Sequence, residues 1–160
     1  MNRHPDNKAR LAEAVRRQQR RNAKADFVAR LAGGGSPGSI IGDERQLHLV
    51  AALKELSRGP PTAFGDIFSA VAAAEGVVGD GLRVVLHPCV EEWPGAIVNA
   101  TDFFAAVQCD PFLLSLDGFV IMSPGGEAAL EVDYLDEGPD APAELRTYGS
   151  WAVAPEAQSQ

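Results

Sequence analysis

Charge is distributed very unevenly along this chain of 160 residues. Residues 1–32 contain nine Lys and Arg against three Asp and Glu, a balance of +6, whereas the remaining residues contain five against nineteen, a balance of −14. The two balances sum to the net charge of −8. Such an asymmetry indicates a basic arm attached to an acidic body.

The arm is predicted to be a helix from about residue 6 to residue 31, because it is rich in helix formers and has no internal Gly or Pro. The stretch from Arg16 to Lys24 is polar on every side, so it cannot be buried in a core. GGGSPGS, at 33–39, is typical of a flexible linker. We therefore expect a basic helical arm at 1–32, a linker at 33–42, an α+β domain at 43–154 and a disordered tail at 155–160.

Composition excludes several classes of protein. The hydrophobic share of 46% is enough for a globular core. No apolar run reaches the roughly 18–20 residues of a membrane span, and no apolar segment follows the basic N-terminus as it would in a secretory signal. We therefore expect a cytoplasmic location. Cys89 and Cys109 are too far apart, with only His87 nearby, for the roughly four close ligands of a zinc site, so no metal or cofactor is predicted and both thiols are expected to be buried and free.

Helices and strands follow one another in a recognisable order. The pair of Asp43 and Gln46 predicts a capping box that opens a helix, and a second helix is predicted at about 62–75. A strand is predicted at 82–87, and a third helix is expected after Asn99 as its N-cap. The remainder is predicted to be a three-stranded antiparallel meander. The core is expected to contain Leu47, Val50, Leu53, Phe64, Ile67, Phe68, Val71, Val84, Leu86, Phe104, Leu114, Leu116, Leu130, Val132 and Trp151.

This order of elements, together with LHP at 86–88, WPG at 93–95 and DFFAAV at 102–107, resembles the NTF2-like superfamily, which includes the SnoaL-like cyclases. The resemblance covers residues 43–153 and implies a curved antiparallel sheet packed against helices to form a cone. The chain ends after what would be the penultimate sheet strand, so the implied cone is short of an edge strand. An enzyme of this family would be an isomerase or cyclase that works by acid–base chemistry.

Strand alternation sorts the side chains of the meander onto two faces. Leu130, Val132 and Tyr134 share one face of their strand, and Glu131 and Asp133 share the other. On the preceding strand, Val120 and Met122 are expected on the apolar, helix-facing side, opposite Asp117 and Phe119. The predicted ligand-binding wall is apolar with a few polar groups, and it consists of Phe64, Phe68, Tyr134, Thr147 and Trp151.

Two residues are candidates for acid–base catalysis. His87 stands at the end of a strand, where the mouth of a cone would lie, although a single His at a strand end is more often a surface or capping residue. Asp66 lies beside Phe64 and Phe68, although an acid in the first turn of a helix is also explained by the helix dipole. Glu91 and Glu92 are interpreted as solvated loop acids.

Three functions remain open. The first is the binding of a small hydrophobic ligand in an apolar cone, with doubtful catalysis. The alternative is an acidic protein-interaction module, such as an immunity protein or an inhibitor of a basic toxin or nucleic-acid enzyme. The third concerns the arm alone, whose positive charge suits nucleic acid or an anionic surface. A homodimer through the sheet is a further candidate assembly.

Overall fold

The computed structural model describes residues 5–87, 95–115, 117–136 and 140–152, apart from the side chains of Pro5 and Arg20. These residues form four helices and seven strands. In chain order the elements are α1 (Pro5–Gly33), β1 (Ser39–Ile40), α2 (Asp43–Glu55), β2 (Thr62–Phe64), α3 (Ile67–Val78), β3 (Leu82–Leu86), β4 (Ala96–Asn99), α4 (Ala100–Cys109), β5 (Gly118–Met122), β6 (Ala128–Tyr134) and β7 (Ala143–Gly149).

The seven strands form one sheet in the order β1-β4-β3-β5-β6-β7-β2, and every neighbouring pair is antiparallel. The sheet is not closed into a barrel, since β1 and β2 are its two edges. The α+β class, the antiparallel sheet and the β5–β6–β7 meander are therefore confirmed. The tail at 155–160 and the predicted core residue Leu116 lie outside the described residues.

The centre of the sheet is buried on both faces, so the molecule has three layers. Val85, Phe119 and Leu130 belong to a core on the side of α3 and α4. Val84, Val120 and Met122 belong to a second core on the side of α2, where Leu49 and Tyr148 are also buried. A sheet covered by helices on both faces explains why two apolar sets alternate along β3 and β5.

The expected facing of β5 was wrong. Val120 lies opposite Glu131, and Met122 opposite Ala129, so both share a face with the acidic side of β6. Phe119, which was expected on the outer side, faces the α3–α4 core instead. Every residue of β5 is buried, and such a strand has no polar side by which its orientation could be read from the sequence.

The segment predicted as one helix at 62–75 contains strand β2 and then helix α3. Asp66 is the N-cap of α3, because its carboxylate accepts hydrogen bonds from the backbone N–H and the hydroxyl of Ser69 at 2.8 and 2.9 Å. The buried face therefore starts at Ile67 and continues through Ala70, Val71, Ala74 and Val78. Phe68 lies one position off this face and is 43% exposed, so its assignment to the core was wrong.

Helix caps were predicted correctly at α4 and wrongly at α2. Asn99 caps α4 by accepting a hydrogen bond from the Asp102 N–H at 3.1 Å. The N-cap of α2 is Gly42 rather than Asp43, and it makes no side-chain cap. Gln46 instead accepts a hydrogen bond from the Gly95 N–H at 3.0 Å. Leu47 points away from the sheet and is 72% exposed, so its assignment to the core was also wrong.

The basic arm is a helix of 29 residues that is anchored at its C-terminal end. Phe27 and Leu31 are fully buried in the α3–α4 core, and Lys24 forms an ion pair with Asp43 at 3.1 Å. The segment expected as a linker continues this packing, since Ser39 and Ile40 pair with β4. Part of 33–42 therefore belongs to the sheet.

Candidate functional site

His87, the first catalytic candidate, directly follows β3 and is 7% exposed. Leu86 pairs with Val120, so the same register continued by one residue sets His87 beside Phe119. The next residues, including Cys89, Glu91 and Glu92, lie outside the described part of the chain. His87 is therefore an inward-facing residue at the end of a buried strand, and its catalytic role stays a prediction.

Asp66, the second candidate, has a structural task at the start of α3. Hydrogen bonds from the backbone N–H and the hydroxyl of Ser69 lower the pKa of the Asp66 carboxyl. A lowered pKa makes a carboxylate a weaker base. This geometry gives Asp66 the role of a helix cap.

The predicted ligand-binding residues are separated into three places. Phe64 and Tyr134 both lie opposite Ala143, at the start of β7. Thr147 lies four residues further along β7, towards Trp151, whose ring is 5.8 Å from the Arg83 guanidinium carbon. Phe68 points outward from α3. The structure therefore brings together only the pair of Phe64 and Tyr134.

Aromatic rings occupy the space where the cone interior was expected. The ring of Phe119 lies edge-on to those of Phe103, Phe104 and Tyr134, with centroids 5.2, 6.2 and 6.5 Å apart. The Tyr134 hydroxyl donates a hydrogen bond to the Pro111 carbonyl at 2.7 Å, and burial raises the pKa of this phenol. Because its single proton is already donated within the fold, Tyr134 serves as a packed core residue.

A depression on the described surface lies elsewhere. It runs along the exposed helix α1 and contains none of the predicted ligand-binding or catalytic residues. Its lining consists of Ala9, Arg10, Glu13, Ala14, Arg17, Gln18 and Arg21.

Carboxylates converge on the outer half of the sheet, where Glu131, Asp133 and Glu144 share the α2 side and the adjoining charge of Asp117 acts on Asp133. Asp133 in β6 lies directly opposite Glu144 in the neighbouring strand β7. On the other edge of β6, Asp133 pairs with Gly118 of β5, and Asp117 directly precedes Gly118. The next row of this face places Glu131 opposite Arg146. Asp133 and Asp117 are exposed, and Glu144 and Glu131 are half-buried. We call Asp117, Glu131, Asp133 and Glu144 the acidic face.

Mutual repulsion acts within the acidic face. Partial burial, followed by the charges of Glu144 and Asp117, raises the pKa of Asp133. Burial and the charge of Asp133 raise the pKa of Glu131, and the charges of Arg146 and Arg58 oppose that rise only in part. Like charges directly opposite each other on neighbouring strands destabilise a sheet, so the fold holds these carboxylates together at a cost in stability.

Part of this surface was visible in the sequence. Alternation along β6 correctly predicted that Glu131 and Asp133 face away from Leu130 and Val132. Glu144 was missed, because its position opposite Asp133 depends on the register between β6 and β7.

Comparison with models of known protein families, with curated proteins and with solved structures gave no match. The resemblance to the NTF2-like superfamily therefore stays a prediction.

The described ranges contain neither a metal-binding cluster nor a membrane-spanning helix. Among those residues no group of three or more His, Cys, Asp and Glu is arranged to hold a metal ion. None of the described helices is long and apolar enough to cross a membrane. Cys109, which was expected to be buried, is an exposed free thiol at the end of α4.

Proposed function

We propose that this protein is an interaction module that binds a basic protein surface through the acidic face. The observation that carries the proposal is the direct cross-strand pairing of Asp133 with Glu144, two like charges that the fold does not separate. A cationic partner relieves their repulsion on binding. Complementary charge also accelerates association, as an inhibitor or immunity-type protein requires.

The interior supports this choice over the binding of a small hydrophobic ligand in an NTF2-like cone. A ligand pocket needs an apolar wall with open space before it. Here the face of the sheet on the α3–α4 side is occupied by the rings around Phe119, and the Tyr134 hydroxyl donates its hydrogen bond to a backbone carbonyl. Acid–base catalysis by His87 or Asp66 draws no support from a shared site, because Asp66 follows β2 at one edge of the sheet and His87 follows β3, four strands away.

The binding test uses a synthetic Arg- and Lys-rich peptide as the basic probe. Asp133→Asn combined with Glu144→Gln should weaken its binding by about tenfold at low salt, because two of the four carboxylates of the acidic face become neutral. Fluorescence anisotropy with labelled peptide measures the affinity. The control is Glu44→Gln with Glu55→Gln on α2, which changes the net charge equally and should have less than about a twofold effect. Equal losses in both variants would show that only net charge matters and would refute the proposed surface.

Stability should change in the opposite direction from binding. Because the pKa of Asp133 is raised in the folded state, ionising this carboxyl costs stability, and the cost appears as pH rises above the usual value of 3.8. Because solvent screens the charge of the exposed Asp133, Asp133→Asn should raise the free energy of unfolding by only about 0.2–0.5 kcal/mol at neutral pH, and the gain should shrink as pH falls towards 4. Thermal melts across this pH range measure the difference. A variant less stable than the wild type at neutral pH would show that Asp133 is structural.

A further inference from the structure

The buried contacts of Phe27 and Leu31 do not account for the stability of the exposed N-terminal part of α1. Described side chains from Asp6 to Asn22 are all exposed, and the buried contacts begin only at Phe27. An isolated helix of this length is marginal in water, so something else must stabilise it.

One side of α1 is uncharged over nearly six turns, from Leu11 to Ala32. Leu11, Val15, Gln18 and Asn22 follow one another at intervals of four, three and four residues, and Ala25, Ala29 and Ala32 continue the same spacing. This is the 4-3 repeat of the a and d positions of a coiled coil. Leu11 and Val15 are 64% and 49% exposed, so the apolar end of this seam is uncovered.

The seam points away from the domain. Phe27 and Leu31, which anchor α1, lie on the opposite side of the helix from Leu11 and Asn22, since residues are separated by about 100° around the axis. A second helix laid along the seam therefore meets no part of the domain to which α1 is attached. We infer that two copies of this chain associate through a parallel coiled coil of their α1 helices, with the two domains on its outer sides.

The flanking charges favour the parallel arrangement. In this register Val15 and Asn22 occupy a positions, Arg21 a g position and Asp26 an e position. A parallel pair brings Arg21 of one copy next to Asp26 of the other. Within each copy, Asp26 also forms an ion pair with Arg30 at 2.9 Å. An antiparallel pair instead sets like positions against each other, including Arg21 against Arg21. Asn22 at an a position, hydrogen-bonded to Gln18 at 3.1 Å, suits a polar contact that sets register in a dimer.

Salt distinguishes this dimer from electrostatic docking of the arm. Residues 6–23 carry six Lys and Arg against two Asp and Glu, so each helix has a net charge of +4 over this stretch. Two such helices repel each other, and screening weakens that repulsion. Raising NaCl from about 50 mM to about 500 mM should therefore tighten the dimer, whereas binding of α1 to nucleic acid or to an acidic surface would weaken.

The test is sedimentation velocity of the full chain over a range of concentrations. We expect a monomer–dimer equilibrium whose dissociation constant increases by at least about a hundredfold in the Leu11→Asp, Val15→Asp variant, because two charges enter the seam. The control is Leu47→Asp, since Leu47 is even more exposed than Leu11 and Val15 but lies on α2. Near-ultraviolet circular dichroism verifies that the domain stays folded in both variants.

Orientation is tested by cross-linking. In a chain with Cys89 and Cys109 replaced by Ser, Leu11→Cys should form a disulfide-linked dimer under mild oxidation, because position 11 meets its own copy only in the parallel pair. Arg16→Cys, on another side of α1, should not. A monomeric wild type, a dimer that survives Leu11→Asp and Val15→Asp, or a monomer whose α1 binds a duplex DNA oligonucleotide instead would each overturn the inference.

Discussion

Gly118→Ala should destabilise the fold by about 3 kcal/mol or more, because position 118 combines a backbone conformation and a close approach that only glycine satisfies. Gly118 has a φ of 117°, and a Cβ at this position would collide with the Val132 carbonyl oxygen. That oxygen belongs to the backbone of β6, so it cannot move aside without breaking the pairing of β5 with β6. Urea denaturation with the wild type and the variant gives the difference in free energy of unfolding.

The matched control is Gly76→Ala in α3. Gly76 has a helical backbone, and a Cβ there would meet nothing within 4 Å. The same chemical change should therefore raise stability by about 0.5–1 kcal/mol, because alanine loses less conformational entropy in a helix. A Gly118→Ala variant as stable as the wild type would mean that β5 does not begin with this geometry.

The sequence predicted the fold best where one local signal determined the outcome. Asn99 was identified as a cap because its side chain acts within one turn of the helix. The two faces of β6 were assigned correctly because polar and apolar residues alternate there. β5 has no such alternation, since helices cover both of its sides, and its facing follows only from its register with β6.

Phe68 illustrates a different limit. Phe64, Ile67, Phe68 and Val71 fit the spacing of one helical face, but the chain is extended until Asp66 caps α3. Moving the helix start changes which residues share a face, so Phe68 passes from the predicted core to the surface. The Asp at 66 and the Gly at 65 indicate the true start of the helix, but the apolar spacing from Phe64 favoured an earlier start.

The candidate surface required long-range information for the same reason. Glu131 and Asp133 could be assigned to the outer face from β6 alone. The repulsive pair of Asp133 and Glu144 arises only when β7 is placed in register, 11 residues further along the chain. Local pattern therefore showed that acids face outward, and the pairing of strands showed that they face each other.

The sequence interpretation of the arm rested on its charge and missed the buried residues that attach it to the domain. The positive charge of the arm pointed to nucleic acid or an anionic surface, yet Phe27 and Leu31 are four residues apart on one side of α1 and are both fully buried. Lys24–Asp43 is a partly exposed ion pair, and pairs of this kind contribute little. The attachment of α1 to the domain is therefore hydrophobic, and its contribution should be insensitive to salt.

Phe27→Ala should consequently cost about 3–5 kcal/mol of folding free energy, as expected for removing a fully enclosed phenylalanine ring. Val28→Ala is the control from the next position of the same helix, where the residue is 37% exposed, and it should cost less than about 1 kcal/mol.

Deleting residues 1–23 should leave the melting temperature of the domain nearly unchanged, whereas deleting residues 1–33 should lower it strongly because Phe27 and Leu31 are lost together. Urea melts at low and high salt distinguish the two kinds of attachment, since an electrostatic anchor weakens with salt and a hydrophobic one does not. A Phe27→Ala loss below about 1 kcal/mol would mean that α1 is held by charge after all.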